Sequence, residues 1–328
     1  MASEAFALGA YTKMWWEPGT TAKADSYTFD ASSEPYDFLA ESMARHRKYA
    51  NVATIRGTRM AHSLQRRIVK YEYFGEVVKY ISPAELDTIL PKALGPASPA
   101  GTYQGGNGTT FTEEEIPYFS ALFQRDSGIF AAPATSIFQY DNCKIDRFIM
   151  RGRAEQGQEL PSLVTTTLRI VACNQAEVSL PANLPALGTA ANYAPYAFSD
   201  TESGITLVGV GSRPIQEFII AWSNHATPKY VNALKPYAIR CMGRDVQLRF
   251  LLPWNDVNDD IYDAAEAGAA GIVKLTNGTM SATFNFGNLT IEDVTPTASK
   301  GRGEMEFIID AVATGGTYDV QVVNDSTV

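Results

Sequence analysis

The stretch Val77-Val78-Lys79-Tyr80-Ile81-Ser82-Pro83-Ala84-Glu85-Leu86-Asp87 carries the strongest local structural signal in the sequence. A β-rich run is followed by Ser82, a favoured N-cap residue, and by Pro83, which suits the first helical position. Glu85 stands at the third helical position and completes a capping box with Ser82. The apolar residues that follow at helical spacing are Leu86, Ile89, Leu90 and Ala93. We predict a helix that packs one apolar face over a sheet.

A similar succession of elements occurs twice along the chain. The first pass has the strand-like run 77–81, the capped helix and the alternating run 165–170. The second pass has the runs 246–250 and 304–309, with an acidic helix expected at 256–268. Repetition of this kind indicates tandem copies of one unit. We therefore predict a mainly β (α+β) chain of two tandem small β-barrel or β-sandwich domains, each with a flanking α-helix.

Changes in composition set the expected boundaries. In order, they are an N-terminal arm (1–25), a first β domain (26–175) with a long loop (96–125), a linker (176–195), a second β domain (196–315) and a C-terminal tail (316–328). Loops of this length are uncommon inside a compact domain and are usually functional or disordered. In the second domain, Asn277-Gly278 predicts a hairpin with a type I′ turn.

Bulk properties exclude several classes of protein. The chain has 328 residues, of which 45% are apolar, and no apolar run reaches the roughly 20 residues of a membrane helix. The N-terminus lacks the features of a signal peptide, so we expect synthesis in a cytoplasm and no membrane partner. Three cysteines and three histidines are too scattered for disulfides or a metal site. No catalytic or phosphate-binding motif is present, so we expect no catalysis and no cofactor.

Charge is distributed unevenly along this chain of net charge −9. Most of the charged residues at 41–80 are basic, whereas most of those after residue 251 are acidic. Opposite regions of this kind suit subunits that dock head to tail or side to side. The candidates for such pairing are Arg56, Arg59, Arg66 and Arg67 on one side and Asp256, Asp259 and Asp260 on the other. A nucleic-acid patch and solvated charge on unrelated faces are the alternatives.

Several segments together resemble the major tail tube proteins of long-tailed (siphovirus-type) bacteriophages. They are Ile55-Arg56-Gly57-Thr58-Arg59, Ser82-Pro83-Ala84-Glu85-Leu86-Asp87, Leu90-Pro91-Lys92-Ala93-Leu94-Gly95 and Tyr140-Asp141-Asn142-Cys143-Lys144-Ile145. The resemblance runs in order from Val52 to Cys173, and the second half is similar in outline. There, Asn288-Leu289-Thr290-Ile291 would stand where Asn142-Cys143-Lys144-Ile145 stands in the first half.

This resemblance implies a structural virion protein that assembles with itself. Rings of such subunits stack into a hollow tail tube, the conduit for DNA ejection into the host. A chain with two tube domains would close a homotrimeric, pseudo-hexameric ring, with sheets of neighbouring subunits joined around the channel. Further implied partners are the tape-measure, tail-tip and tail-terminator proteins, and double-stranded DNA that passes through without specific binding.

The resemblance also implies roles for particular residues. The arm and the long loop are expected to make ring-to-ring contacts, through Trp15, Trp16, Pro96, Tyr103, Gly106 and Phe111. An acidic face that repels the DNA backbone would line the lumen, through Glu304, Glu306 and Asp310. Trp15 and Trp16 could instead pack onto their own domain, as adjacent tryptophans near a terminus usually do.

Two other classes of protein remain open from the sequence. A carbohydrate-binding or adhesin-like β protein would expose aromatic residues on a concave face, but the four tryptophans, Trp15, Trp16, Trp222 and Trp254, are dispersed. An enzyme could use the carboxylates of Asp256, Asp259 and Asp260 for metal or acid–base chemistry. Those carboxylates are more simply explained as the solvated start of a helix, where negative charge is favourable.

Overall fold

A computed structural model describes residues 13–20, 23–24, 27–51, 66–97, 101–105, 116–126, 135–154, 162–186, 194–207, 211–253, 269–298, 305–313 and 318–326. Within these ranges the chain is mostly β-strand with one α-helix, which confirms the mainly β class. The expected second helix at 256–268 lies outside the described residues.

The described residues of the first half form ten strands and the helix. The strands are β1 (Lys13–Thr20), β2 (Glu34–Tyr36), β3 (Ala40–Glu41), β4 (Ala44–Asn51), β5 (Arg66–Tyr80), β6 (Thr102–Gly105), β7 (Tyr118–Asp126), β8 (Thr135–Arg153), β9 (Thr165–Ala172) and β10 (Asn174–Glu177). The helix, α1, spans Pro83–Ala93 between β5 and β6.

The described residues of the second half form a 3₁₀ turn at Phe198–Asp200 and ten more strands. They are β11 (Thr201–Leu207), β12 (Gly211–Arg213), β13 (Glu217–Ser223), β14 (Ala226–Lys229), β15 (Ala238–Cys241), β16 (Asp245–Pro253), β17 (Ala269–Asn277), β18 (Met280–Ala298), β19 (Met305–Ala313) and β20 (Val320–Asp325). All strands except the β14–β15 hairpin belong to one connected network of 18 strands.

The order of strand pairing occurs twice. In the first half, one order of neighbouring strands is β2, β1, β7, the N-terminal part of β8, and β10. A second order is β4, β5, β9 and the C-terminal part of β8. In the second half, the first order recurs as β12, β11, β17, the N-terminal part of β18, and β20. The second order recurs as β13, β16, β19 and the C-terminal part of β18. The two 19-residue strands, β8 and β18, therefore hold corresponding positions.

A bulge fixes how the two copies align. The pairing of β8 with β9 skips Asp146, and the pairing of β18 with β19 skips Glu292. Counting back from these bulges aligns residues 142–145 with residues 288–291. This is the alignment that the sequence predicted, although the division into separate barrels or sandwiches stays a prediction.

The two halves are joined by an antiparallel seam between β8 and β13. Arg153 lies opposite Glu217 and Arg147 opposite Ser223, with no break in register. Beneath the seam, the rings of Phe148 and Trp222 stack with their centroids 3.9 Å apart. Buried side chains of both halves form one continuous core. The seam therefore makes the sheet continuous from one half to the other.

The helix forms as its sequence predicts. The Ser82 N–H donates to Oε2 of Glu85 over 2.9 Å, as a capping box requires. The predicted apolar face, Leu86, Ile89, Leu90 and Ala93, is fully buried. Glu85 also pairs with the buried ammonium of Lys79 on β5, so the cap fastens the helix to the sheet. Burial lowers the pKa of Lys79, although the Glu85 carboxylate opposes that shift.

The segments expected as arm, linker and tail each contribute a strand. Strand β1, from the arm, lies between β2 and β7. Strand β10, at the start of the linker, pairs with β8, and β20, from the tail, pairs with β18 and β6. On β20, the side-chain amide of Asn324 donates to the Pro83 carbonyl and to Asp87, at 2.9 and 2.8 Å. The segment predicted as a C-terminal tail therefore includes a strand of the sheet, which bonds to two neighbouring strands and holds the start of α1.

The hairpin predicted at Asn277-Gly278 is present, but its turn differs from the predicted type. Asn277 pairs with Met280, which leaves Gly278 and Thr279 as the loop. Gly278 alone of the two has a positive φ, 65°. A type I′ turn needs positive φ at both central residues, so that part of the prediction is wrong.

Asn224, immediately after β13, ties the seam to the helix. Its buried side-chain amide donates to the carbonyls of Ala93 and Ile145, at 3.0 and 2.9 Å, and its oxygen accepts from Nε of Arg244. We expect Asn224→Ala to lower the free energy of unfolding by about 2 to 4 kcal/mol, since it leaves buried polar groups without a hydrogen-bond partner. Urea denaturation followed by tryptophan fluorescence measures this.

Asn277→Ala is the matched control, because its amide makes one hydrogen bond, to the Ala194 carbonyl, at an exposed site. We expect that variant to lose less than about 1 kcal/mol. Equal losses in the two variants would contradict a fastening role for Asn224.

Candidate functional site

The two tryptophans expected at a ring-to-ring contact are instead inside the subunit. Trp15 is 4% exposed, and its indole N–H donates to the Pro185 carbonyl over 2.9 Å. Trp16 is fully buried and stacks on Phe119 at a centroid distance of 5.1 Å. Because both rings are buried by their own chain, the assignment of Trp15 and Trp16 to an inter-ring contact is wrong for this conformation.

The expected long loop is partly strand. Residues 102–105 form β6, and residues 118–125 belong to β7, so the loop at 96–125 is shorter than predicted. Tyr103, expected at an inter-ring contact, is 5% exposed, and its hydroxyl donates to Asp87 over 3.0 Å. The side chain of Tyr103 therefore packs inside its own subunit. Pro96 is exposed, whereas Gly106 and Phe111 lie outside the described residues.

Most residues proposed for charge pairing lie outside the described residues: Arg56, Arg59, Asp256, Asp259 and Asp260. Arg66 and Arg67 lie at the start of β5, opposite Asn51 and Ala50 of β4. The pairing of the two charge sets therefore stays a prediction.

A basic groove runs along β4. It encloses about 750 Å³ and is lined by Ala44, Arg45, His46, Arg47, Lys48, Arg125, Phe138, Gln175 and Glu177. Sequence reasoning counted Arg45, Arg47 and Lys48 in the basic region but did not select them as site residues, and it did not consider Arg125. The run of four basic residues at 45–48 was the available signal.

The outer edge of β3 and β4 is held by a polar cluster. Arg125 binds the Glu41 carboxylate through two hydrogen bonds of 2.8 Å and also donates to the Met43 carbonyl over 2.6 Å. Tyr140 donates to the same carbonyl over 3.0 Å, and burial raises its pKa to about 12, so the hydroxyl keeps its proton. Within the described residues, no strand pairs with this edge.

The exposed face of the sheet around the seam carries both signs of charge. Arg151 pairs with Glu217 over 2.7 Å and Arg169 with Asp146 over 3.4 Å. Glu306 and Asp310, proposed for an acidic lumen, lie on β19, and Arg249 stands directly opposite Asp310. Glu304 lies outside the described residues. The lumen assignment stays a prediction, but the strand beside Asp310 is not acidic at that position.

The described part of the chain offers no reactive or metal-binding centre. Its three cysteines are buried, and burial raises the pKa of Cys143 and brings that of Cys173 to about 12. No group of three or more histidine, cysteine or carboxylate residues is placed to hold a metal ion among the described residues. No helix within the described ranges is long and apolar enough to cross a membrane.

Comparison with known protein families gives a match that covers most of the chain. A family model described as "Phage tail tube protein" matches residues 16–322, which includes both halves and the seam between them. No curated protein matches this chain.

We expect Arg125→Leu to lower the free energy of unfolding by about 1 to 3 kcal/mol, because Glu41 loses a bidentate partner in a half-buried site. Arg151→Leu is the matched control, since its pair with Glu217 is more exposed; about 1 kcal/mol or less is expected there. Urea unfolding of both variants measures the difference. A loss for Arg125→Leu no larger than for the control would contradict the role given to the cluster.

Proposed function

Because this chain belongs to the phage tail tube protein family, a family of structural rather than enzymatic proteins, we propose that its copies close into rings and that these rings stack into the hollow tail tube of a long-tailed (siphovirus-type) bacteriophage. The protein is a component of the virion tail. We place its synthesis in the cytoplasm of the host bacterium and its role in the conduit for DNA ejection. The family match over residues 16–322 carries this proposal.

The ring is proposed to contain three chains. The pairing order of the strands occurs twice in each chain, so each subunit would supply two β units, in the form of barrels or sandwiches with a flanking helix. Three such subunits would give a ring with pseudo-sixfold symmetry. An exposed strand edge is a template for pairing with another chain, and ring closure would remove such edges.

The tube lumen must let DNA slide. Acidic residues repel the phosphate backbone and prevent tight binding, which is the role proposed for Glu304, Glu306 and Asp310. Arg249 opposite Asp310 would moderate that repulsion on one strand pair. We therefore propose transient, non-specific passage of double-stranded DNA rather than a DNA-binding site.

Stacking of the rings is proposed to use the region after β6. Pro96 is exposed beyond α1, and residues 106–112, with Gly106 and Phe111, follow β6 directly. The tape-measure protein inside the tube and the tip and terminator proteins at its ends are the further partners that we propose.

The described tryptophans do not support the carbohydrate-binding alternative. Trp15, Trp16 and Trp222 are each at least 96% buried and therefore provide no exposed platform on which a sugar ring could stack. Trp254 lies outside the described residues.

Negative-stain electron microscopy of the purified protein, alone and with a tail initiator complex, tests the proposed function. We expect rings or tubes in at least one condition, and native mass spectrometry should give a ring of three chains. Monomers in both conditions would refute assembly, and a ring of six chains would refute the proposed trimer.

Deletion of residues 106–112 tests the stacking contact, because it spares β6 and its pairing with β20. We expect folded subunits and single rings but no tube growth, as judged by circular dichroism and microscopy. Replacement of the same residues by a Gly-Ser segment of equal length is the control for loop closure and should also fail to stack. Normal tubes from either variant would exclude this region from ring-to-ring contact.

A further inference from the structure

The sheet that runs through the seam ends in two strand edges that no strand of the described residues pairs with, one in each half. The first is the outer edge of β3 and β4, beside the basic groove. The second is the edge of the C-terminal part of β18 that faces away from β19. In the first half, the strand that corresponds to β18 is β8, and its corresponding edge is covered by β13.

The repeat identifies what would cover the edge of β3 and β4. The Ser42 N–H donates to the Glu76 carbonyl, and Glu76 lies opposite Arg169 of β9. In the second half, Ile219 lies opposite Arg249, which lies opposite Asp310 of β19. Arg169 and Asp310 hold corresponding positions in the two halves. Arg169 belongs to the first β8–β9 pair after the bulge at Asp146, and Asp310 belongs to the first β18–β19 pair after the bulge at Glu292. Residues 40–46 therefore hold the position in the first half that β13 holds in the second.

The β8–β13 seam thus serves as an internal template for an external one. We propose that residues 292–298 of one copy pair antiparallel with residues 41–47 of the next, in the register of the internal seam. This inference rests on the proposed ring and defines the partner surface within it. The pairs that the register brings opposite one another are Glu41 and Ala298, Met43 and Pro296, Ala44 and Thr295, His46 and Asp293, and Arg47 and Glu292.

Charge complementarity supports this occupant. The edge at residues 45–48 is a run of basic residues, and the strand that would meet it begins with Glu292 and Asp293. Opposite charges directly across an antiparallel pair stabilise it, whereas like charges weaken it. The internal seam lacks this arrangement at the corresponding positions, where Ser223 faces Arg147 and Asn224 faces Asp146. The external pairing would thus be distinguished from the internal one by charge.

The hydrogen-bonding pattern of the edge fits the same register. Met43 lies between β3 and β4, and its N–H binds the Glu41 carboxylate. Its carbonyl accepts from Arg125 and Tyr140, so its backbone groups are bound to side chains and not to β5. Its proposed partner Pro296 has no N–H to donate. The Met43 carbonyl already accepts from Arg125 and Tyr140, and so it does not require that missing donor. The Met43 N–H, which donates to the Glu41 carboxylate in the single chain, would donate to the Pro296 carbonyl in the seam.

Cysteine crosslinking tests the register. Ala44 and Thr295 would form a pair without backbone hydrogen bonds, in which the Cβ atoms approach most closely. We expect the variant with Ala44→Cys and Thr295→Cys to give covalent dimers and trimers on mild oxidation, read on a non-reducing gel. The native cysteines are buried and do not compete. The matched control, Ala44→Cys with Thr297→Cys, places the two sulfurs two residues out of register and should remain monomeric on the gel.

The outcomes separate this inference from the proposed function. Rings under the microscope with crosslinking of the 44–295 pair alone support both. Rings without that crosslink, or with crosslinking of the control pair, overturn the seam and leave the tube function standing. Absence of rings for the unmodified chain overturns the proposed function itself.

A charge reversal provides an independent test if the cysteine variants do not assemble. We expect Glu292→Arg to weaken ring formation by roughly tenfold in protein concentration, since it faces Arg47 with a like charge. Adding Arg47→Glu to the same chain should restore assembly, because the pair is then reversed. Failure of the double variant to assemble better than Glu292→Arg alone would overturn the proposed pairing.

Discussion

The antiparallel pairing of β8 with β13 is the interaction on which the rest of the structure depends. Each of these strands would otherwise present a row of unpaired backbone groups, and together they satisfy one another along seven residue pairs. The pairing also stacks Phe148 on Trp222 and brings Asn224 beneath the end of the helix. This one strand contact thus joins the sheet and the core of the two halves and ties them to the end of the helix.

Local features of the fold could be predicted from the sequence because they depend on neighbouring residues. Ser82, Pro83 and Glu85 interact within one helical turn, so the capping box located α1 correctly. The repeated succession of elements was also visible, because corresponding strands keep their order and the bulges at Asp146 and Glu292 keep the alignment. The hairpin before Met280 was found because two loop residues determine it.

Features that depend on distant residues could not be predicted in the same way. Strand β6 forms only because residues 102–105 meet residues 320–323 of β20, and nothing in a four-residue polar segment indicates that partner. The burial of Trp15 depends likewise on the Pro185 carbonyl, far along the chain. The acidic face was inferred from β19 alone, whereas the charge that acts there includes Arg249 on β16. Register between remote strands is information that local patterns do not contain.

The internal seam has a further consequence, for the kinetics of assembly. Because β8 and β13 belong to one chain, their encounter is intramolecular, and their effective concentration does not change as the protein is diluted. A seam between two chains, in contrast, forms only as fast as molecules meet. In the proposed pseudo-sixfold ring, three of the six seams would thus lie within chains, and only the other three would require two molecules to meet. Joining two copies in one polypeptide also fixes the stoichiometry of the two copies, so no excess of one can cap a growing structure.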